Sequence, residues 1–312
     1  MSTIQTICQK ADHLKKIIFD PSYRFESLGT RGFYNHLSDE DYIKRMFKAR
    51  LGYPLDLQHP QTYNEKLQWL KLHDRNPMYS IMADKYAVKE YVASIIGEEY
   101  IIPTLGVWNR FEDIDFASLP NQFVLKCTHD SGGIVIVKDK SKLNMMKTKR
   151  QIQKSLKNNY FYFGREWPYI NIQPRIIAEK YIEDNLTAEL RDYKFFCFNG
   201  VARALFIASD RQNKTTETKF DFYDMDFNHL NFTNGHPNSG RKINKPPTFD
   251  TMKNVAEVLS KNIPHVRVDV YEVNGKVYFG ELTFYHWSGF VPFDPPEWDK
   301  TFGDWIDLSL CK

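Results

Sequence analysis

The sequence predicts an α+β protein in which antiparallel sheets are covered by helices. Three observations favour this class. Amphipathic helical segments dominate residues 1–80, strand-like and helical segments are mixed through the remainder, and two Asn-Gly pairs, at 199–200 and 274–275, each separate two strand-like runs. An Asn-Gly pair in that position is typical of a β-hairpin, and hairpins produce antiparallel strands.

Composition excludes several other classes of protein. The chain has 312 residues, 42% of them hydrophobic, which is enough to form cores in two or three lobes. No apolar run is near the roughly 18 residues of a membrane span, and no secretory signal opens the chain, so we expect a cytoplasmic protein. A formal net charge of +3 gives no reason to expect nucleic-acid binding. The cysteines are far apart and indicate reduced thiols: Cys8, Cys127, Cys197 and Cys311.

The predicted helices are marked by their ends. Ser38, followed by three acidic residues, is typical of a helix start, and Gly52 of the end of that helix. Thr62 and Glu65 have the spacing of a capping box for the next helix. A third helix, over about 83–96, would share one apolar face made of Val88, Tyr91, Val92 and Ile95.

Strands and further helices follow. Apolar runs at 123–125 and 134–137 flank a glycine turn, Ser131-Gly132-Gly133, and residues 176–178 are typical of a buried strand. Residues 208–247 are polar and rich in Asn, Lys, Pro and Gly, so we expect a long surface excursion there. We also predict hairpins over 193–207 and 266–284, a helix over 145–160, and a helix with the apolar stripe Met252, Val255, Ala256 and Leu259.

The last hairpin carries the most informative pattern. In its first strand every second residue is valine, which places Arg267 and Asp269 together on the other face, and Glu281 and Thr283 share a face of the returning strand. A two-residue turn would separate the two carboxylates, whereas a three-residue turn at 273–275, or a bulge elsewhere, would bring them together. We expect the shared face, with the three-residue bulged turn.

Two carboxylates, an arginine and a hydroxyl on one face are typical of a Mg²⁺ site that also receives a polyphosphate. Mg²⁺ prefers oxygen ligands, and arginine can offset the charge that develops on a transferring phosphoryl group. The alternative is an exposed hairpin face held by salt bridges.

Other short stretches also carry candidate residues. Lys126 ends an apolar strand just before the glycine turn, where a lysine and backbone N–H groups can hold phosphates. Asp84-Lys85 opens a helix, residues 179–182 leave a buried strand, and Lys194 alternates with aromatic residues. An ordinary tight turn, a solvated lysine and a strand end are the alternatives.

The order of these motifs resembles the ATP-grasp superfamily from about residue 80 to 310, and more closely its TupA-like branch, named for teichuronopeptide biosynthesis. Each motif is short, and their joint order and spacing are what is specific. The motifs are Asp84-Lys85, Phe123-Val124-Leu125-Lys126, Glu179-Lys180-Tyr181-Ile182, Asp192-Tyr193-Lys194 and Phe279-Gly280-Glu281-Leu282-Thr283-Phe284.

The resemblance implies an ATP-grasp fold for the chain after about residue 80, and the helical pattern of the first 80 residues adds a separate N-terminal region. Residues 1–80 would form that helical region, a candidate acceptor lobe. Within the ATP-grasp region we expect a linker and helix at 81–120, a small nucleotide lobe at 121–182 and a metal-binding lobe at 183–312.

The resemblance also implies roles for single residues. ATP would be bound by Lys85, Lys126, Ser131, Gly132, Gly133, Glu179, Lys180, Tyr181, Ile182 and Lys194. Mg²⁺ would be bound by Asp269, Glu281 and Thr283, with Glu281 bridging two ions. The catalytic cations would be Arg267, facing the γ-phosphate, with Lys126 and Lys194.

This chain departs from the superfamily at three points. Thr283 stands where an asparagine is usual. Leu186 stands near the usual position of the acid that holds the ribose, so Glu183 or Asp184 would replace that acid. The first 80 residues do not resemble the usual substrate lobe, and therefore provide no template for the acceptor site.

The resemblance implies an ATP- and Mg²⁺-dependent carboxylate–amine ligase that acts through an acyl phosphate. Such an enzyme needs charge neutralisation and a dry site rather than a nucleophile–base pair. The branch implies a uronic acid of a cell-surface polysaccharide, or of its precursor, as acceptor and an amino acid or small amine as the second substrate. The basic stretch at 15–19, with Arg24 and Arg31, would suit a lipid-linked glycan and peripheral contact with the inner membrane face.

Three alternatives remain open from the sequence. Asp224-Met225-Asp226 is an Asp-x-Asp of the kind found in glycosyltransferases, and a kinase could use the same fold. Residues 286–289 directly follow the strand that carries Glu281 and Thr283, and could line an acceptor pocket. A non-catalytic glycan-binding protein could use its aromatic residues as stacking platforms: Trp108, Trp167, Tyr169, Trp287 and Trp298.

Overall fold

The N-terminal part of the protein is helical. The structure is a computed structural model that describes residues 12–184, 190–210 and 217–311. Its N-terminal helices include α1 (Pro21–Gly29), α2 (Asp39–Leu51), α3 (Tyr63–His73), α4 (Met78–Ala83) and α5 (Ala87–Ile96).

The predicted ends of α2 and α3 are confirmed by hydrogen bonds. The Ser38 hydroxyl accepts a bond from the Asp41 backbone N–H at 3.1 Å, and Gly52 ends α2 with a φ of 85°. Thr62 and Glu65 make both bonds of the capping box at the start of α3. These ends were predictable because a cap involves only residues three or four positions apart.

Helix α5 is shorter than predicted, and its buried face is narrower. It begins at Ala87 because Asp84 lies outside it and its carboxylate accepts hydrogen bonds from backbone N–H groups of the first turn. Val88 and Val92 are buried, whereas Ile95 is exposed, so the predicted apolar face was wrong at its C-terminal end.

A four-stranded antiparallel sheet forms the smaller lobe. It consists of β1 (Thr104–Trp108), β2 (Phe123–Cys127), β3 (Ile134–Val137) and β4 (Ile176–Lys180), in the order β1-β4-β2-β3. Leu125 and Ala178 share a core with Ile152 of helix α6 (Met145–Leu156), so Lys126 and Glu179 lie on the opposite face. Because β1 pairs with β4, this sheet already includes residues 104–108, which lie in the segment predicted as linker and helix.

A six-stranded antiparallel sheet forms the larger lobe. Its strands are β5 (Asp192–Phe198), β6 (Val201–Ser209), β7 (Lys219–Tyr223), β8 (His229–Leu230), β10 (Val266–Val273) and β11 (Lys276–Thr283), in the order β11-β10-β5-β6-β7-β8. Both predicted Asn-Gly hairpins are present, with Asn199, Gly200, Asn274 and Gly275 at positive φ. The expected excursion over 208–247 was wrong in part, because β7 and β8 extend this sheet with buried side chains such as Phe222.

Helices cover both faces of the larger sheet. Phe195 contacts Phe249 in helix α8 (Phe249–Leu259), with ring centroids 5.8 Å apart. The next residue points to the other face, where Phe196 contacts Phe302 in helix α9 (Glu297–Asp304) at 5.1 Å. The α+β class predicted from the sequence is thus the observed architecture. The remaining short elements are α7 (Phe161–Gly164), β9 (Thr233–Asn234) and β12 (Phe293–Asp294).

The described cysteines are free thiols. Cys127 and Cys197 are buried and Cys311 is half-buried. Burial raises the pKa of the Cys127 thiol to about 11 and that of Cys197 to about 12. Both therefore remain protonated at neutral pH and act as small apolar core residues. Cys8 lies outside the described residues.

Candidate functional site

The last hairpin turns through two residues, and a bulge further along restores the shared face. Val273 pairs directly with Lys276, so the predicted three-residue turn was wrong. The register then shifts at Gly280, and Asp269 lies directly opposite Glu281. A Cβ on Gly280 would lie 2.9 Å from the Asp269 carbonyl oxygen, which explains why the bulge carries a glycine. Both carboxylates consequently lie on one face of the sheet.

Arg267 is held in one orientation by its neighbours on this face. Its Nε donates to Asp269 Oδ1 at 2.7 Å and its Nη2 to Asp269 Oδ2 at 2.8 Å. Nη2 also donates to Thr283 Oγ1 at 3.0 Å and lies 3.5 Å from Glu281 Oε1. Burial lowers the pKa of Arg267, but the Asp269 charge outweighs it and holds that pKa above its ordinary value. Arg267 is therefore a fixed, permanently charged group.

A second cation reaches the same carboxylate from the adjacent strand. Lys194 on β5 pairs with Asp269 on β10, and its ammonium contacts Asp269 Oδ2 and lies 2.7 Å from Asp192 Oδ2. Asp192 was not predicted as a site residue. Its two-residue spacing from Lys194 within one strand was the available signal, because that spacing places both side chains on one face.

Lys85 connects the smaller lobe to Glu281. Its Nζ donates to the Asp130 carbonyl at 2.5 Å and lies 4.0 Å from Glu281 Oε2. Its backbone N–H donates to the Thr128 carbonyl at 3.0 Å, which attaches the segment before α5 to the end of β2. Glu281 is 39% exposed, so this carboxylate faces solvent between a lysine and an arginine of different lobes.

The glycine turn combines a packed residue with exposed ones. Asp130 accepts a hydrogen bond from the Gly133 N–H at 3.2 Å and contacts the Ser155 hydroxyl. A side chain on Gly133 would overlap Ser155, whereas Gly132 has nothing within 4 Å of the position of a Cβ. Ser131 and Gly132 are exposed. Gly133 thus serves the packing of the turn, and the two residues before it are accessible to a ligand.

Lys126 and Glu179 form a separate cluster with a third residue. Lys126 Nζ lies 2.5 Å from Glu179 Oε2, and Lys89 Nζ lies 2.6 Å from Glu179 Oε1. Burial raises the pKa of Glu179, but the two lysines outweigh it and hold the pKa below its ordinary value. Lys89 was not identified from the sequence, and its position one helical turn after Lys85 was the only available signal.

The segment after β4 reaches the turn of the last hairpin. Asp184 Oδ1 accepts a hydrogen bond from the Asn274 backbone N–H at 3.2 Å, and Asn274 Nδ2 donates to the Glu183 carbonyl at 3.4 Å. Lys180 bonds through its backbone N–H to the Pro103 carbonyl, and Tyr181 and Ile182 are half-exposed. Glu183 and Asp184 therefore lie where the two lobes meet, while Leu186 lies outside the described residues.

His286 supports Arg267 from the segment after β11. Its Nδ1 accepts a hydrogen bond from Arg267 Nη1 at 2.6 Å, and its Nε2 lies 3.0 Å from Asn234 Oδ1. Burial and the Arg267 charge hold the pKa of His286 well below its ordinary range. The ring is therefore neutral and donates through Nε2–H to Asn234. This role was not predicted, because it depends on contacts between distant parts of the chain.

The backbone after His286 is left-handed over three residues. Trp287, Ser288 and Gly289 have φ values of 50°, 55° and 63°. The fully buried Lys71 holds this stretch, since its ammonium donates to the Ser288 carbonyl at 2.7 Å and to the Ser288 hydroxyl at 2.9 Å. Burial lowers the pKa of Lys71 to about 7, an effect that the charge of Glu166 opposes.

The Asp-x-Asp motif serves a turn between β7 and β8. Asp224 accepts hydrogen bonds from the backbone N–H groups of Asp226 and Asn228, at 3.0 and 2.8 Å, and from the Asn228 side chain at 3.0 Å. Asp226 is exposed. Through these local bonds Asp224 stabilises the turn between β7 and β8.

Arg267 and the charged and hydroxyl side chains around it, called here the arginine group, have the chemistry of a Mg²⁺–polyphosphate site. Among the described residues no group of three His, Cys, Asp or Glu side chains is placed to hold a metal ion. The oxygen donors here are two carboxylates and one hydroxyl, from Asp269, Glu281 and Thr283, a set that Mg²⁺ accepts when phosphate and water complete it. The cations Arg267, Lys194 and Lys85 equal in number the acids Asp192, Asp269 and Glu281. Adding Mg²⁺ would leave excess positive charge, and this suits a polyphosphate.

Comparison with known proteins agrees with this chemistry. The family model "TupA-like ATPgrasp" matches residues 65–307, beginning within α3 and so earlier than the resemblance seen in the sequence. No curated protein matches the chain.

Similar solved structures are ATP-grasp ligases. D-alanine–D-alanine ligase from Bacillus anthracis complexed with ATP is 19% identical with a TM-score of 0.40, covering 73% of this chain and 63% of that one. The ligase of the same name from Helicobacter pylori is 11% identical with a TM-score of 0.41, covering 78% and 69%. The ATP-grasp ligase PsnB complexed with minimal precursor, Mg and ADP is 10% identical with a TM-score of 0.36, covering 70% and 57%.

The chain spans less than two thirds of the length of the first and third of these structures. ATP-grasp ligases bind ATP and Mg²⁺. The family model covers most of the sequence, and this protein therefore belongs to the TupA-like ATP-grasp family.

Proposed function

We propose that the protein is an ATP- and Mg²⁺-dependent carboxylate–amine ligase. Its acceptor would be a uronic acid of a cell-surface polysaccharide or of its precursor, and its second substrate an amino acid or small amine. The observation that supports this most directly is the fixed Arg267, bonded to Asp269 and close to Glu281, with Lys85 reaching Glu281 from the other lobe. This arrangement serves phosphoryl transfer without requiring a protein nucleophile.

The reaction has two steps. A carboxylate oxygen of the acceptor attacks the γ-phosphorus of ATP, the bond to the bridging oxygen breaks, and ADP leaves with the electron pair. The amine nitrogen then attacks the acyl carbon, the bond to the phosphate oxygen breaks, inorganic phosphate leaves, and the nitrogen loses a proton. Phosphorylation is needed because it replaces a poor leaving group with a good one.

The residues of the larger lobe would stabilise the charge that moves in the first step. Arg267 donates to the transferring phosphoryl group without reorientation, since Asp269, Thr283 and His286 already hold its guanidinium. Lys194 would offset further charge from the adjacent strand. Mg²⁺, held by Asp269, Glu281 and Thr283, would supply additional neutralisation of the phosphates.

The smaller lobe would bind the nucleotide. Lys126 lies on the sheet face opposite the core, and Glu179 keeps Lys89 as a partner when Lys126 turns to a phosphate. The exposed Ser131 and Gly132 would close over the phosphates, and residues 179–182 would meet the adenine. Glu183 and Asp184 are the acids available for the ribose, and we assign the helical region before residue 80 to the acceptor.

A lipid-linked acceptor would bring the enzyme to the inner membrane face. Ile18 and Phe19 are exposed beside the exposed Lys15 and Lys16. Within the described residues, no helix has the length and apolarity needed to cross a membrane. We expect the protein to sediment with vesicles that contain anionic lipid, and Phe19→Glu to weaken this association. Equal sedimentation of both forms would contradict the assignment of this surface.

The proposed function is tested by product analysis. Purified protein is incubated with ATP, Mg²⁺, uronic-acid oligosaccharides and a panel of amino acids, and ADP, phosphate and amide product are measured. We expect all three products to depend on both the acceptor and the amine. Glu281→Gln should abolish them, and Glu297→Gln, at an exposed carboxylate on α9, should not. A phosphorylated sugar formed without an amine would indicate a kinase, and no release of ADP would contradict the proposal.

A further inference from the structure

Trp287 presents an indole at the surface next to the arginine group. All six tryptophans lie in the described residues, and Trp287 is the one classed as exposed, with 40% of its surface accessible. The others are buried or half-buried and pack against the two main cores. An exposed tryptophan beside a candidate active site is the kind of side chain that often contacts a ligand.

The backbone of Trp287 is maintained in a conformation that large side chains rarely adopt. Its φ of 50° and ψ of 23° lie in the left-handed region. The residues on both sides are fixed, because His286 is bonded to Arg267 and Asn234, and Lys71 is bonded to Ser288. Strained residues that persist in this way cluster at functional sites.

The indole is also held in one position. Its ring stacks on Phe220, with centroids 6.0 Å apart and an interplanar angle of 23°, and lies 5.7 Å from the His236 ring. A Cβ on Gly235 would lie 2.8 Å from the Trp287 Nε1 atom, so the chain passes the indole edge where only glycine fits. Because the indole is already held in place, ligand binding would cost little side-chain entropy at Trp287.

The position of the indole links it to the reacting groups. Its centroid lies 5.6 Å from the His286 ring, and His286 Nδ1 lies 2.6 Å from Arg267 Nη1. A ligand the size of one sugar could therefore contact both the indole and the charged group. A pyranose ring suits this arrangement, since its C–H face packs on an aromatic ring while its hydroxyl and carboxylate groups bond to polar neighbours.

We propose that Trp287 is a stacking platform for the pyranose ring of the acceptor, placed so that the ring's carboxylate is directed towards Arg267. This inference rests on the proposed function and adds to it the class of ligand and the residue that recognises it. In this arrangement charged groups would bind the nucleotide, and an aromatic surface would bind the sugar.

The test measures sugar binding and nucleotide binding separately. Wild type, Trp287→Asn, Trp287→Phe and Val258→Ala are titrated by calorimetry with a glucuronic-acid-containing tetrasaccharide, and in a second series with Mg-ATP. Asparagine adopts the left-handed region more readily than most residues, so Trp287→Asn removes the indole without adding backbone strain. Val258→Ala shortens an exposed apolar side chain on α8, which covers the other face of the larger sheet.

We expect Trp287→Asn to weaken tetrasaccharide binding by about tenfold, and Trp287→Phe to retain most of the affinity. Val258→Ala should bind as wild type does. Equal affinity of Trp287→Asn and wild type, or no tetrasaccharide binding by wild type, would overturn the inference. The inference would also be overturned if wild type formed a dimer that dissociated in Trp287→Asn, because the indole would then contact a second protein chain. Failure of wild type to bind Mg-ATP would instead contradict the proposed function, so the two failures are distinguishable.

Discussion

Asp269 and Glu281 lie directly opposite each other across β10 and β11, although the turn between these strands has only two residues. The strict alternation of a hairpin with that turn would place them on opposite faces. The extra residue at Gly280 reverses the alternation of the returning strand. The proposed metal site thus depends on a backbone irregularity at a residue that contributes no side chain.

Replacing Gly280 by alanine should therefore disrupt the proposed site. The new Cβ would lie 2.9 Å from the Asp269 carbonyl oxygen, so β11 must shift. We expect Gly280→Ala to lower the free energy of unfolding by about 1–3 kcal/mol, measured by urea denaturation, and to abolish Mg-ATP binding. Lys276→Ala, at an exposed position of the same strand, is the control. Wild-type Mg-ATP affinity in Gly280→Ala would show that the bulge does not position the site.

Arg267→Lys should reduce turnover although it keeps the positive charge. Lysine cannot make two parallel bonds to Asp269 while also contacting Thr283 and His286, so the charge would no longer be fixed. We expect ADP formation to fall by about 10²–10³-fold, measured with a coupled assay under saturating substrates. Arg110→Lys, in an exposed ion pair with Asp113, should remain within about twofold of wild type. If Arg267→Lys formed ADP at a rate similar to that of wild type, the geometry of the guanidinium would not be needed for turnover.

The two buried histidines, His286 and His265, should lower the free energy of unfolding as the pH falls below about 6.5, whereas the buried Glu166, with a pKa raised to about 7, acts in the opposite direction. Burial holds the pKa of His286 well below its ordinary 6.5 and lowers that of His265 to about 3. The unfolded chain therefore binds protons near pH 6.5 that the folded chain binds only at lower pH, and the stabilisation present above pH 6.5 is lost progressively below it. Urea unfolding at pH 7, 6 and 5 should show this slope.

His286→Gln should reduce the same slope by up to about 1.4 kcal/mol per pH unit. It should also slow ADP formation, because glutamine does not reproduce both contacts of the imidazole. His59→Gln, which removes an exposed imidazole, is the control and should keep the wild-type slope. An unchanged slope in His286→Gln would mean that this ring is not the neutral group described above.

The Asp-x-Asp motif should not be needed for ligase activity. Asp224→Asn removes a carboxylate that accepts turn hydrogen bonds, so we expect a loss of about 1 kcal/mol in stability with little change in turnover. Asp226→Asn, at an exposed position, should change neither. Loss of activity in both variants, in a folded protein, would favour a glycosyltransferase instead.

Local features were predicted from the sequence with success. The caps at Ser38 and Thr62, the Asn-Gly turns and the apolar stripe of α8 all depend on residues within a few positions of one another. Features that depend on packing were predicted less well. The three-residue turn was wrong because the extra residue that restores the shared face is Gly280, within β11 and outside the turn. Strand β7 was missed because its polar flanks concealed the buried Phe220 and Phe222.

The set of charged groups, the α+β class and the order of motifs that indicated an ATP-grasp protein could all be inferred from the sequence without coordinates. The pairing of these groups became apparent from the folded chain: Lys126 with Glu179, Lys85 with Glu281, and Arg267 with His286. Alternation within a strand assigns a face, but it does not give the register of neighbouring strands or the approach of one lobe to another. An ion pair forms only when its nitrogen and oxygen atoms come within about 4 Å, so the partners of each group depend on distances that only the folded chain defines.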